Sequence, residues 1–119
     1  MKRRHPEAAI QRAVFEHLRL RGVPGLFYFH PFSGGYRRPI EAAIYKSLGA
    51  IAGLPDIIAI KDGHCYCLEL KAPGGRLSPA QEQALIALRA AGAIATHVHG
   101  LDQALEWLER HELLRGRVS

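Results

Sequence analysis

The most restrictive feature of this sequence is the Asp62-Gly63 pair, which stands between two runs rich in apolar residues. An Asp-Gly pair readily adopts the positive φ angles that a two-residue β-hairpin loop requires. The flanking runs, residues 56–60 and 65–71, are therefore predicted to be antiparallel neighbours in one sheet. The turn also fixes their register, because each step away from it along one strand matches one step along the other.

The two faces of this predicted hairpin differ in character, because side chains alternate between the faces of a sheet. One face is almost wholly apolar and is expected to be core; it carries Ile57, Ala59, Tyr66, Leu68 and Leu70. The other face carries Asp56, Ile58, Ile60, Cys65, Cys67, Glu69 and Lys71. The register places Asp56 directly opposite Glu69, with their Cβ atoms roughly 5 Å apart.

Two carboxylates that face each other across strands destabilise a sheet unless something offsets their repulsion. One of the pair could be protonated. Alternatively, a divalent cation could lie between Asp56 and Glu69, and oxygen-only ligands suit Mg²⁺ or Mn²⁺. Lys71 would then lie beside the cation. A purely structural alternative is an edge salt bridge between Asp56 and Lys71 that leaves Glu69 in solvent.

The remaining elements are predicted from helical periodicity, capping residues and short apolar runs. They predict an α/β fold of one domain over residues 1–119, a mixed β-sheet flanked by helices in the order α-β-α-β-β-α-β-α. The second helix should run from Pro39 to Leu48 with Ile40, Ala43, Ile44 and Leu48 inward, and the last from Leu101 to Leu114. A helix between the strands at 65–71 and 93–99 implies that those two strands are parallel.

The charge balance favours a polyanionic partner or a basic, solvated surface. There are 16 Lys+Arg against 11 Asp+Glu, a net charge of +5. A loop that follows the first strand combines glycines, which let the backbone approach a phosphate, with arginines and a tyrosine that could stack on a base. The predicted DNA contacts are this loop, Ser33, Gly34, Gly35, Tyr36, Arg37 and Arg38, and the weaker candidates Lys46 and Arg76.

The two cysteines, Cys65 and Cys67, lie two apart on one predicted strand, a geometry that does not favour a disulfide between them. With no apolar run near the ~20 residues of a membrane span, this predicts a protein of the cytoplasm. Together with His97 and His99 the cysteines could instead form a zinc site. Buried, unreactive cysteines are the commoner case.

Several segments resemble the PD-(D/E)xK nucleases, and more closely the VRR-NUC (virus-type replication-repair nuclease) domain. The resemblance is carried by Gly34-Gly35-Tyr36-Arg37-Arg38, by Gly53-Leu54-Pro55-Asp56, by Glu69-Leu70-Lys71 and by Arg76-Leu77-Ser78-Pro79-Ala80-Gln81. It implies a restriction-endonuclease-like fold and Mg²⁺- or Mn²⁺-dependent cleavage of DNA phosphodiester bonds. Small members resemble junction-resolving endonucleases that act as homodimers, so the resemblance also implies branched DNA as the substrate and a second copy as a partner.

The resemblance implies five catalytic residues and four metal ligands. The catalytic residues are Glu7, Asp56, Glu69, Lys71 and Gln81; the ligands are Glu7, Asp56, Glu69 and the backbone carbonyl of Leu70. Two of these have local alternatives. Glu7 could be a first-turn acid that favours the helix dipole, and Gln81 could only complete a capping box with Ser78. A DNA-binding module without catalysis is the rival function.

Overall fold

The eight predicted elements follow one another in the predicted order in the computed structural model, which describes residues 5–32 and 38–116. The helices are α1 (His5–Arg21), α2 (Pro39–Ser47), α3 (Pro79–Ala90) and α4 (Leu101–Arg110). The strands are β1 (Phe27–Phe29), β2 (Ile57–Lys61), β3 (His64–Lys71) and β4 (Ile94–His99). The mixed α/β architecture predicted from the sequence is thus confirmed.

The β2–β3 hairpin has the predicted turn and register. Asp62 and Gly63 have φ angles of 51° and 78°, both in the left-handed region. Lys61 pairs with His64 at the turn, and the ladder runs from there to Ile57 opposite Leu68. Asp56 lies one residue beyond this last pair, at the position that would match Glu69.

The four strands form one sheet in the order β1-β2-β3-β4. β1 and β2 are antiparallel, as are β2 and β3, whereas β3 and β4 are parallel. The parallel register sets Glu69 beside His97 and Lys71 beside His99. The end of β3, which carries the predicted catalytic residues, therefore lies against two histidines of β4.

The apolar face of the hairpin is the main core, as predicted. Ile57, Ala59, Leu68 and Leu70 are buried there. They are covered by α1 and α4, which contribute Val14, Leu18, Ala104, Leu105, Trp107 and Leu108. The opposite face has a smaller core beneath α3, formed by Cys67, Leu85 and Ala95. Only the end of that second face, from Glu69 to Lys71, is polar.

The prediction that α2 turns an apolar face inward is wrong. None of its residues is buried, and Ile40, Ile44 and Leu48 are 67%, 54% and 76% exposed; Ala43 is exposed as well. The helical spacing of the apolar residues is correct, but α2 follows the edge strand β1, and the two faces of the sheet are covered by α1, α4 and α3. An apolar stripe is thus left uncovered by the described chain.

The last helix is also shorter than predicted. It ends at Arg110 instead of Leu114, because Glu112 adopts a left-handed φ of 62° that a helix cannot continue through. The N–H of Leu113 donates back to the carbonyl of Leu108, and Leu114 forms an isolated bridge with Gly22. The apolar residues after the helix are still buried, so the periodicity indicated burial correctly and helix length incorrectly.

Candidate active site

Asp56 is positioned by the tight connection that precedes β2. Gly53 has a φ of 77°, and a Cβ atom there would lie 2.5 Å from the backbone of Ala80. The connection therefore packs against the first turn of α3 at a distance that only glycine permits. From this position, Oδ2 of Asp56 accepts a hydrogen bond of 2.8 Å from the backbone N–H of Leu70 on β3.

Glu69 is a buried carboxylate, with a relative exposure of 2%. Its Oε2 accepts a hydrogen bond of 3.0 Å from Nε2 of Gln81 and lies 3.7 Å from Nζ of Lys71. Its Oε1 is buried and has no hydrogen-bond partner among the described residues. The ion pair at the sheet end is thus Lys71 with Glu69, and the alternative in which Glu69 lies in solvent is wrong.

The two carboxyl groups lie on the same side of the sheet and act on each other. Burial raises the pKa of Glu69 to about 8, and the negative charge of Asp56 contributes, while Lys71 opposes the shift. Burial also raises the pKa of Asp56. The hydrogen bond from the N–H of Leu70 and the charge of His30 act in the opposite direction and lower this pKa. A pair of acids that resists ionisation in this way is typical of sites that hold a cation or a shared proton.

Lys71 is unusually buried for a lysine, at 7% exposure. Its neighbour His97 has a lowered pKa, mainly because of burial and also because of the positive charges of His99, Arg89 and Lys71. The ammonium group therefore belongs to a compact arrangement of acids and bases at the ends of β3 and β4.

Glu7, in the first turn of α1, faces this arrangement. Its Oε2 accepts a long hydrogen bond of 3.4 Å from the N–H of Ala72, and a Cβ atom on Gly75 would lie 3.3 Å from the same oxygen. The glutamate therefore contacts the loop that follows Lys71.

The donor set fits a hard divalent cation in its chemistry, because it consists of carboxylate oxygens and includes the unpaired Oε1 of Glu69. The set is nevertheless small. Within residues 5–32 and 38–116, no three His, Cys, Asp or Glu side chains converge closely enough to hold a metal. Asp56 and Glu69 would thus need backbone or water oxygens to complete the coordination. Leu70 can contribute only backbone atoms, since its side chain is in the core.

Gln81 forms the predicted capping box and also contacts the acidic pair. Its Oε1 accepts from the backbone N–H of Ser78 at 2.8 Å, and its own N–H donates to the Ser78 hydroxyl at 3.1 Å. This is the predicted capping box. The remaining amide nitrogen donates to Glu69, so the capping interaction and the contact with the acidic pair coexist.

The sequence did not indicate His30. Its Nδ1 lies 2.7 Å from the carbonyl oxygen of Asp56, at the end of the edge strand β1. The pairing of Phe29 with Ile58 brings the next residue of β1 close to the start of β2. His30 could not be predicted to lie there, because the sequence of a three-residue strand does not indicate which strand it pairs with.

The rival zinc set does not assemble. Sγ of Cys65 lies 3.8 Å from Sγ of Cys67, and the rings of His97 and His99 are 5.3 Å apart. These four are not, however, a group that could hold a metal among the residues that the structure describes. Nδ1 of His99 instead lies 3.3 Å from the carbonyl oxygen of Ala72.

Three of the predicted DNA contacts are described, and all three are exposed: Arg38, Lys46 and Arg76. Arg38 precedes α2 and pairs with Glu41 at 3.5 Å. Arg76 follows Gly75, the residue that lies against Glu7 and Lys71. The other predicted contacts, Ser33, Gly34, Gly35, Tyr36 and Arg37, lie outside the described residues.

Comparison with known proteins agrees with the fold described above. Two solved structures share the fold. A VRR-NUC domain protein has a TM-score of 0.74 and 23% identity, and the match covers 91% of this chain and 89% of that protein. A VRR-NUC domain has a TM-score of 0.59 and 19% identity, and the match covers 89% of this chain and 96% of that domain. No curated protein matches in sequence. No helix among the described residues is long and apolar enough to cross a membrane. The VRR-NUC domain family model matches residues 6–102. The chain therefore belongs to the VRR-NUC domain family, a family of nuclease-type domains.

Proposed function

We propose that this protein is a metal-dependent endonuclease that hydrolyses phosphodiester bonds in branched DNA, such as Holliday junctions. The observation that carries the proposal is the buried acidic pair, Asp56 with Glu69, beside the ammonium group of Lys71. Burying two acids together is costly for stability, and the cost is removed when a cation neutralises both. The family membership supports nuclease chemistry at this place.

Asp56 and Glu69 would hold the cation, with the carbonyl oxygen of Leu70 and water molecules as further donors, and Glu7 would act on it through one of these waters. A bound Mg²⁺ or Mn²⁺ would lower the pKa of a water molecule and neutralise charge on the scissile phosphate. Oε1 of Glu69 is the oxygen that remains for the cation, because it is buried and has no hydrogen-bond partner among the described residues.

Lys71 would act on the reacting groups themselves. Its ammonium carries three donors, of which Glu69 can occupy only some. The remaining donors would orient the attacking water and stabilise the negative charge that develops on the phosphate. Gln81 would hold Glu69 in the orientation that this requires, through its hydrogen bond to Oε2.

Exposed basic residues would bind the DNA backbone around the site. One of these is Arg76, which directly follows the Gly75 backbone that lies against Glu7. Arg38 and Lys46 lie on or next to α2, which follows the predicted phosphate-binding loop of residues 33–38. Such contacts give affinity that falls with salt and carry no sequence information themselves.

A homodimer would present two such sites to two strands of a junction. The surface that we propose for pairing is the exposed apolar side of α2, defined by Ile40, Ile44 and Leu48. A helix of nine residues is too short to be stable in water without packing. A second copy of α2 running antiparallel would cover this surface.

A cleavage assay tests the proposed function. The parent protein should cut a labelled four-way junction faster than linear duplex in Mg²⁺ or Mn²⁺, and a chelator should abolish the reaction. Lys71→Ala should lose at least about 100-fold in rate. Lys61→Ala, which removes a lysine at the other end of the hairpin, is the matched control. Salt-sensitive binding without cleavage in any metal would favour the DNA-binding module instead.

A further inference from the structure

A cavity of about 350 Å³ lies between α1 and the end of β1, outside the set of acids described above. Its described lining combines two apolar residues with an amide, a guanidinium and an imidazole: Ala8, Phe15, Gln11, Arg12 and His30. Its volume is at the lower end of the range for small-ligand pockets, roughly 300–1,000 Å³. The cavity is therefore suited to a single small group and too small for a length of duplex.

This cavity adjoins the candidate active site on two sides. Ala8 follows Glu7 in the first turns of α1, and His30 contacts the backbone carbonyl of Asp56 at 2.7 Å. A DNA strand whose phosphate lay at the acidic pair would therefore run past the cavity, since the cavity shares α1 with Glu7 and shares His30 with Asp56.

Two of the three polar side chains of the lining, Gln11 and Arg12, hold no partner among the described residues. Phe15 is held from behind by Tyr28, with ring centroids 5.9 Å apart. A guanidinium suits a phosphate, an amide suits the edge of a base, and an apolar aromatic wall suits its face.

We infer that the cavity, here called the α1 pocket, binds one nucleotide of the DNA strand adjacent to the scissile phosphate. The inference rests on the proposed function, because it takes its ligand from the same strand. Arg12 and His30 would face the phosphate, and Gln11 and Phe15 would face the base. The ligand is a nucleotide splayed out of the stack, which branched DNA provides at less cost than an intact duplex does.

Equilibrium binding tests the α1 pocket separately from catalysis. The Lys71→Ala variant is titrated into a fluorescently labelled junction in Mg²⁺. Two double variants, which combine Lys71→Ala with Gln11→Leu or with Arg12→Gln, are titrated in the same way. Each added change should weaken binding by about tenfold, the effect of losing one base or phosphate contact. Lys61→Gln removes the same unit of charge as Arg12→Gln at a distant turn and should change affinity less than about twofold.

A second measurement keeps the pocket residues unchanged and uses DNA molecules that each lack one base. One abasic position next to the cleavage site should weaken binding about as much as Gln11→Leu, and the two losses should not add, because they remove the same contact. Equal effects at every position, or pocket variants that bind like Lys61→Gln, would overturn the α1 pocket even if the parent protein cleaves normally. A protein that never cleaves yet shows the position-specific loss would remove the nuclease proposal and support the pocket. A protein that does not bind DNA would overturn both.

Discussion

The side-chain amide of Gln81 joins the first turn of α3 to the acidic pair, donating to Glu69 at 3.0 Å while it accepts from the N–H of Ser78 at 2.8 Å. One residue thereby fixes the start of a helix and the orientation of a buried carboxylate. The Ser-x-x-Gln pattern, which is common at helix starts, has a second use at this site. The two uses can be separated by substitution.

Gln81→Glu should keep the acceptor for Ser78 but replace the donor to Glu69 with another negative charge. We expect the cleavage rate to fall at least about tenfold, because one hydrogen bond to a charged group contributes about 1.5–3 kcal/mol. Ser78→Ala removes only the other half of the capping box and should cost about 1 kcal/mol of stability with little loss of rate. Rate assays and urea unfolding measure the two effects. Equal rate losses in both variants would show that Gln81 acts only through the cap.

The stability of the metal-free protein should fall as the pH rises from roughly 4.5 to 8. The pKa of Glu69 is raised to about 8 in the fold, against about 4.3 in an unfolded chain. Within this interval the folded state holds more protons than the unfolded state, so the free energy of unfolding decreases with pH. Urea unfolding across this range measures the slope.

Glu69→Gln, a neutral side chain of the same shape, should flatten this slope and be more stable than the parent at pH 8. The control is Glu106→Gln, which neutralises an exposed glutamate on α4 and should leave the slope unchanged. If the free energy of unfolding of Glu69→Gln fell with pH as steeply as that of the parent, a group other than Glu69 would be responsible for the proton uptake.

Gly53→Ala should destabilise the protein by more than about 2 kcal/mol, since it combines backbone strain at a positive φ with a clash against Ala80. It should also slow cleavage, because the same connection positions Asp56. Gly49→Ala is the matched control: its φ of 100° is also positive, but a Cβ atom there would meet nothing within 4 Å. That variant should lose only about 1 kcal/mol. Equal urea midpoints for the two variants would contradict the close approach of Gly53 to the backbone of Ala80.

The α2 surface should determine whether the chain is a dimer. Sedimentation of the parent is expected to give twice the mass of one chain, and Ile44→Ser should give a monomer. Ile86→Ser removes an isoleucine with almost the same exposure from α3, 53% against 54%, and should leave the dimer intact. A parent that sediments as a monomer at the concentrations used for cleavage would contradict the homodimer.

Local chemistry in the sequence was sufficient to predict the hairpin and everything that depends on it. The Asp62-Gly63 turn fixed which residues share a face, so Asp56, Glu69 and Lys71 could be placed together before any coordinates. The capping box of α3 was predictable for the same reason, since its residues are three apart along the chain.

Features that depend on what covers a surface could not be predicted. The periodicity of α2 shows that it has an apolar side, yet periodicity carries no information on whether the same chain packs against that side. The burial of Glu69 and the contact of His30 with Asp56 likewise depend on elements distant in sequence. The surroundings of those residues could be known only from the tertiary structure.

A divalent cation bound between Asp56 and Glu69 is central to the proposed function. Crystals soaked in Mn²⁺ at about pH 8, with anomalous scattering recorded, test it directly. The account predicts a peak within about 2.5 Å of Oε1 of Glu69 and of the Asp56 carboxylate. Crystals that hold Mn²⁺ elsewhere, or that show no peak between these two side chains in a preparation that cleaves DNA, would contradict it.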